Sequence, residues 1–251
     1  MKIYRSLDEF ERIPNAVVTI GTFDGVHVGH QRILSKLVET ARNTGGETVL
    51  LTFFPHPRLI INPDDDSLRL INDIEEKTHR LALAGIDHLI ITPFTRDFSI
   101  QTPEEYISNV LVNKIGCKSI IIGYDHHFGK DRAGNIQELT KYSSIFDFKV
   151  SEIPKQDIDD VGVSSTRIRE SLIKGDIATA NKYLDYPFEL TGTVVKGDQI
   201  GRTIGFPTAN LNVHESHKLI PAYGIYAVEV EIYPRVPSIE SGPYISPQPE
   251  R

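Results

Sequence analysis

Two histidines three residues apart, His27 and His30, close a glycine-rich stretch, Gly21-Thr22-Phe23-Asp24-Gly25-Val26-His27-Val28-Gly29-His30. At that spacing on a first helical turn the rings lie side by side, and each can donate a hydrogen bond to a phosphate oxygen. Gly21, Gly25 and Gly29 can take positive φ and let the backbone approach a ligand closely, while the start of a helix offers unpaired N–H groups. Such a turn favours an anion. Two other chemistries fit less well. The G-x-G-x-x-G spacing of a dinucleotide fingerprint is absent, and a catalytic zinc pair on a helix has three residues between its histidines and a glutamate among them. Ordinary turn residues with solvated histidines are the remaining alternative.

The elements that must position this stretch are read from its flanks. Ala16-Val17-Val18-Thr19-Ile20 leads in as a strand, and Ile33, Leu34, Leu37, Val38 and Ala41 lead out on one face of a helix. Strands over Glu47–Phe54, His88–Thr92, Lys118–Ile122 and Phe148–Ile153 alternate with helices over Ile74–Ala84, Pro103 to Gly116 and Asn135–Ser144. Thr102 and Pro103 mark one helix start, and Gly85 marks a helix stop. Alternation at this spacing predicts βαβ units in a parallel sheet, with ligands at the carboxyl ends of the strands where the winding reverses. His27, His30, His56, His126 and His127 all fall just beyond strand ends, so five of the nine histidines share one rim. Asp64, Asp65 and Asp66 read as a solvated turn rather than a metal site.

Further on, Ser164-Ser165-Thr166-Arg167-Ile168-Arg169 opens a helix with hydroxyl residues that satisfy free N–H groups. The positive helix end, Arg167 and Arg169 remain for an anion. A capped surface helix and a phosphate site fit these residues equally. After the helix Ile177–Leu184 the texture changes to short alternating strands without helices between them, which suggests a β-barrel beginning near Asp185.

Composition sets outer bounds. The 251 residues, 39% of them apolar, suffice for one large or two ordinary domains. The balance of 27 basic and 34 acidic residues, net −7, argues against a nucleic-acid surface. Cys117 is the sole cysteine, which excludes an internal disulfide and suits a cytoplasmic setting. The start of the chain lacks an apolar signal core, and no segment approaches the roughly 18 apolar residues of a membrane span.

His27-Val28-Gly29-His30 after a strand resembles the H-x-G-H signature of the nucleotidylyltransferase superfamily. The full ten-residue stretch closely resembles the FAD synthetase module of bacterial bifunctional riboflavin kinase/FMN adenylyltransferases. The resemblance implies transfer of AMP from ATP to FMN, giving FAD and pyrophosphate, with Mg2+ as the metal. His27 and His30 would be catalytic. Gly21, Phe23, Asp24, Gly25, Gly29, Ser164, Ser165, Thr166 and Arg169 would bind ATP, the last four through the S-S-T-x-I-R motif that holds its outer phosphates. Phe54, Pro55 and His56, in a segment similar to T-F-x-P-H-P, would lie by the flavin with Asp125 and Phe128. The latter two sit in Gly123-Tyr124-Asp125-His126-His127-Phe128-Gly129, which is similar to G-x-[DN]-F-x-F-G but carries His126 where the family has an aromatic residue.

Gly205-Phe206-Pro207-Thr208-Ala209-Asn210 looks like the riboflavin kinase signature, in which Thr208 and Asn210 would hold a magnesium nucleotide. One more strand, Gly224–Glu231, is expected after it. From Tyr233 to Arg251 the chain holds five of its fifteen prolines and no strand pattern. The expected organisation is therefore a Rossmann-like α/β domain over residues 1–184, a partial riboflavin kinase-like β-barrel over 185–232, and a proline-rich, disordered tail over 233–251 that resembles a truncation. On this reading kinase activity on riboflavin is doubtful, and an exposed half-barrel invites self-association. Transfer to another phosphate acceptor, and a non-catalytic flavin- or nucleotide-binding module, are the two alternatives.

Overall fold

The structure is a computed structural model that describes residues 1–154 and 162–233. The expectation for residues 234–251 lies outside the described residues.

Six parallel strands form the central sheet: β1 (Lys2–Tyr4), β2 (Ala16–Ile20), β3 (Glu47–Phe53), β4 (His88–Thr92), β5 (Cys117–Gly123) and β6 (Lys149–Ile153). Their order across the sheet is β1-β4-β3-β2-β5-β6. From β2 the chain winds outward through β3 and β4, then returns to pair β5 with the other side of β2. The winding reverses between β2 and β5, and the turn after β2 opens at that crevice.

Every residue of β2 is buried, because the sheet is covered on both faces. Alternation divides its side chains: Val18 and Ile20 join Val49, Leu51, Ile90, Ile120 and Ile122 on one face, whereas Val17 joins Leu50, Leu89 and Ile121 on the other. Helix α1 (Val28–Thr44) lays Ile33, Leu34, Leu37 and Ala41 on that second face and stops at Gly45, which adopts a left-handed conformation with φ 63°. The helix Ile74–Leu83 begins with a capping box, Asp73 accepting from the Glu76 N–H and Glu76 accepting from the Asp73 N–H. Thr102 caps Pro103–Glu105 as expected, and the helical stretch continues as a π-helix over Tyr106–Ile115.

A third apolar cluster joins the helices Ser165–Ile173 and Ile177–Leu184 to the sheet domain through Ile71, Ile168, Leu172, Ala180, Leu184 and Leu219. Asp185 ends the second helix with φ 63°. The chain beyond it stays anchored: the Leu70 N–H donates to the His217 carbonyl, the Leu70 carbonyl accepts from the Leu219 N–H, and Arg80 forms a two-pronged ion pair with Glu189. Past this anchor, β7 (Thr193–Val195) and β8 (Asn210–Asn212) make an exposed antiparallel hairpin. The expected strand over 224–231 is not formed. Tyr226, Val228 and Val230 alternate as a strand would, but they are exposed and no described strand lies beside them to complete a ladder. Among the described residues no helix is long and apolar enough to cross a membrane.

Candidate active site

The turn after β2 is more strained than its glycines suggest. Positive φ occurs at Phe23 (46°), Gly25 (87°) and Val26 (35°), and not at Gly21 or Gly29. Gly29 is instead the second residue of α1, where helical φ is the rule. Phe23 and Val26 are buried in the core beneath α1, and that burial holds their backbones where branched or bulky residues seldom go. Gly25 alone of the three needs its lack of a side chain for conformation, and a Cβ there would meet Ile71 at 3.0 Å.

The rings of His27 and His30 stack at 3.7 Å between centroids and 16° between planes. His27 caps α1 by accepting the His30 N–H at its Nδ1, 3.4 Å away, which leaves the proton of a neutral ring on Nε2. Burial lowers the His27 pKa to about 4, and burial, then His27 itself, drives His30 well below its ordinary value. Both are therefore neutral at pH 7. The buried Nδ1 of His30 has no hydrogen-bond partner among the described residues.

Asp24 is a buried tether. Its Oδ1 accepts the N–H groups of Ile71 (2.9 Å) and Asn72 (3.3 Å), and its Oδ2 accepts from Arg169 at 2.6 Å. Arg169 also donates to the Arg69 carbonyl, and Ser165 donates to the Asp24 carbonyl at 2.9 Å. The Tyr186 hydroxyl donates to the Gly25 carbonyl at 2.6 Å. Ser164 caps its helix by accepting from the Arg167 N–H, and Thr166 faces solvent. The hydroxyl-rich helix start thus lies against the glycine turn, yet Arg169 spends its guanidinium on Asp24 rather than on open space.

The sequence reading missed Lys77. It lies three residues after Ile74 and four before Leu81, on the buried stripe of its helix, and that position is the signal that could have found it. Its Nζ donates to the Thr22 carbonyl at 3.1 Å and faces the Thr52 hydroxyl at 3.5 Å. Burial, opposed by Asp24 and Asp73, lowers its pKa to about 8, and its charge depresses both His30 and His56.

His56 caps the short helix Pro57–Ile61, its Nδ1 accepting the Arg58 N–H, and burial lowers its pKa to about 4. Phe54 and Pro55 beside it are exposed at the rim. Behind them Phe53, Phe94, Phe98, Tyr106 and Phe128 form a chain of edge-on and tilted rings that His126 extends by stacking on Phe128. Phe128 is buried, whereas Asp125 and His127 are exposed. The charges that act on His126 are those of His127 and Arg132, so it lies apart from the His27 pair.

Thr208 and Asn210 are exposed on the β7–β8 hairpin, close to Gly201 and Gly197 respectively. Their hydroxyl and amide oxygens are hard donors that suit magnesium, but among the described residues no three His, Cys, Asp or Glu side chains gather as a metal-holding group. A magnesium ion here would come with the phosphates of a nucleotide.

The family model described as FAD synthetase matches residues 10–167, and the one described as riboflavin kinase matches residues 184–248. The second match runs past Ile232, where the sequence reading ended the barrel. A curated relative from Listeria monocytogenes, a bifunctional riboflavin kinase/FMN adenylyltransferase, is 37% identical over 90% of this chain and 70% of its own length. The Escherichia coli K12 protein of the same name is 35% identical over 92% of this chain and 73% of its own. A crystal structure titled macrolide-efflux protein from Streptococcus pneumoniae is similar at TM-score 0.78 and 30% identity, over 89% of this chain and 72% of that one.

Proposed function

The chain belongs to the family of bifunctional riboflavin kinase/FMN adenylyltransferases, and from that premise we propose that residues 1–184 transfer AMP from ATP to FMN, giving FAD and pyrophosphate. A phosphate oxygen of FMN attacks the α-phosphorus of ATP in line. The bond from that phosphorus to the β-phosphate oxygen breaks, and pyrophosphate leaves with the electron pair. No protein nucleophile is needed, so the protein supplies position and charge.

The stacked neutral histidines carry this reading. Each imidazole holds one N–H, His27 on Nε2, aimed from the start of α1 where the helix end already favours phosphate. They stabilise charge that develops on the transferring and leaving phosphates, and do so as hydrogen-bond donors rather than as acids. Gly21, Phe23, Gly25 and Gly29 shape the nucleotide turn. Ser164, Ser165 and Thr166 offer hydroxyls to the outer phosphates, and Arg169 with Asp24 holds their helix against the turn. Phe54, Pro55, His56, Asp125 and Phe128 line the flavin side. Magnesium, when bound with ATP, neutralises phosphate charge, and Thr208 and Asn210 would hold it in the second domain.

Acceptor preference tests the assignment. FMN should be adenylylated at least about tenfold faster, in kcat/KM, than pantetheine phosphate or nicotinamide mononucleotide; preference for either of the others overturns it. Riboflavin replaces FMN in a second arm, because residues 184–248 match the riboflavin kinase model. The lone buried Cys117 suits a cytoplasmic enzyme. Exposed Val194, Phe206 and Ile225 support self-association, which sedimentation measures directly.

A further inference from the structure

Lys77 is a buried cation with no carboxylate in direct contact among the described residues. Its residue is 8% exposed, its helix is fixed by the Asp73–Glu76 capping box, and among the described residues no carboxylate forms an ion pair with it. An ammonium has three N–H donors. One is spent on the Thr22 carbonyl and a second points at the Thr52 hydroxyl at a long 3.5 Å, leaving at least one donor unspent and only the more distant Asp24 and Asp73 acting against the charge. An unpaired charge in such a place is costly unless something completes it.

What surrounds it says what that is. Thr22 belongs to the turn between β2 and α1, and Thr52 lies near the end of β3. Around Lys77 stand His30 from α1, His56 from the loop after β3, Asp24 from the turn and Asp73 from the start of its own helix. Both histidines are held neutral, and the Lys77 ammonium acts on both of them, while Arg169 and Arg58 act on His56 as well and Arg169 is already paired with Asp24. The same helix is gripped from its other side. Neighbouring Glu76 makes a buried ion pair with Lys218 and accepts the Thr191 N–H, and Arg80 pairs with Glu189 while stacking on Tyr186. Lys77 therefore projects from a helix clamped in place rather than from a mobile surface.

We propose that Lys77 is a further catalytic residue of the adenylyl transfer, its ammonium binding the phosphate that reacts at the Gly21–His30 turn and neutralising charge as the bond to pyrophosphate breaks. The inference rests on the adenylyltransferase reading. It adds a fixed cation to a pair of neutral donors, an arrangement that histidines alone do not supply.

The test follows FAD formation from magnesium ATP and FMN in the full chain, in Lys77→Met and in Lys77→Arg, with thermal unfolding run beside it. Lys77→Met should lose about 10²-fold or more in kcat at a little-changed unfolding midpoint. In the parent chain kcat/KM should fall as pH rises through about 8, where the ammonium of the free protein loses its proton, and Lys77→Arg should carry that fall to higher pH. A folded Lys77→Met with parental turnover overturns the proposal. Should the Met variant fail to fold, an alkaline fall that stays near pH 8 in Lys77→Arg overturns it instead. A parent chain that makes no FAD removes the adenylyltransferase reading, and pyrophosphate binding by calorimetry then judges Lys77 alone: affinity weakened about tenfold or more in the Met variant supports it, and equal affinity overturns it.

Discussion

The turn after β2 and the hairpin after Asp185 are both rich in glycine, yet the chain treats them oppositely. Around the turn, each group is tied from several directions: Asp24 by Ile71, Asn72 and Arg169, the Gly25 carbonyl by Tyr186, and the Asp24 carbonyl by Ser165. Backbone strain at Phe23 and Val26 persists because that surrounding structure over-determines it. The β7–β8 hairpin has two three-residue strands, and Val194, Ile200, Ile204 and Phe206 all stand exposed. Signature residues alone do not make a built site, because what separates the two regions is the density of long-range partners behind them.

Substitutions can sharpen or break that contrast. The largest effect is expected at Asp24→Ala, which leaves Arg169 without its carboxylate and two backbone N–H groups unpaired. Loss of a buried pair of this kind costs about 3–5 kcal/mol, read as a lower urea midpoint. A loss below about 1 kcal/mol would show that the tether is dispensable. Next, His30→Ala should lower turnover by about 10²-fold while the unfolding midpoint moves little. Unchanged turnover removes His30 from the chemistry.

Acid should then weaken the turn specifically. Burial depresses His27 and His56 to about 4, with His30 lower still, so between roughly pH 4 and 6.5 the unfolded chain binds protons that the folded chain does not. Stability contributed by these neutral rings is present above about pH 6.5 and is lost as pH falls toward 4. Urea titrations across that window should show the decline, and His27→Asn should reduce its slope. A flat profile contradicts the burial of the pair. Least of all, Val194→Ser on the hairpin should change stability by less than about 0.5 kcal/mol, the range of surface substitutions. A larger loss would mean that the hairpin is covered by something else in solution.

The sequence made the sheet and the histidine pair legible because their signals are local: an apolar five-residue run, a glycine turn and a stripe of Ile33, Leu34, Leu37 and Ala41. What stayed hidden depends on contacts across long stretches of chain. Arg169 reads as a phosphate clamp from its own motif, and only the fold brings Asp24, 145 residues earlier, against it. Lys218 carries no motif that would single it out, yet it is buried against Glu76. Lys77 was half legible, since its place on the apolar stripe of Ile74 and Leu81 is visible in sequence, whereas its closeness to His30 is not. The expected strand over 224–231 is not formed for the converse reason: its composition suits a strand, but a strand needs a neighbour.

The most direct measurement is incubation of the full chain with magnesium ATP and FMN, with FAD and pyrophosphate resolved and quantified over time. FAD and pyrophosphate should appear in equal amounts, at a rate that collapses in His30→Ala. Binding of ATP and FMN with no pyrophosphate released would contradict adenylyl transfer at the His27–His30 turn and leave a flavin- and nucleotide-binding module in its place.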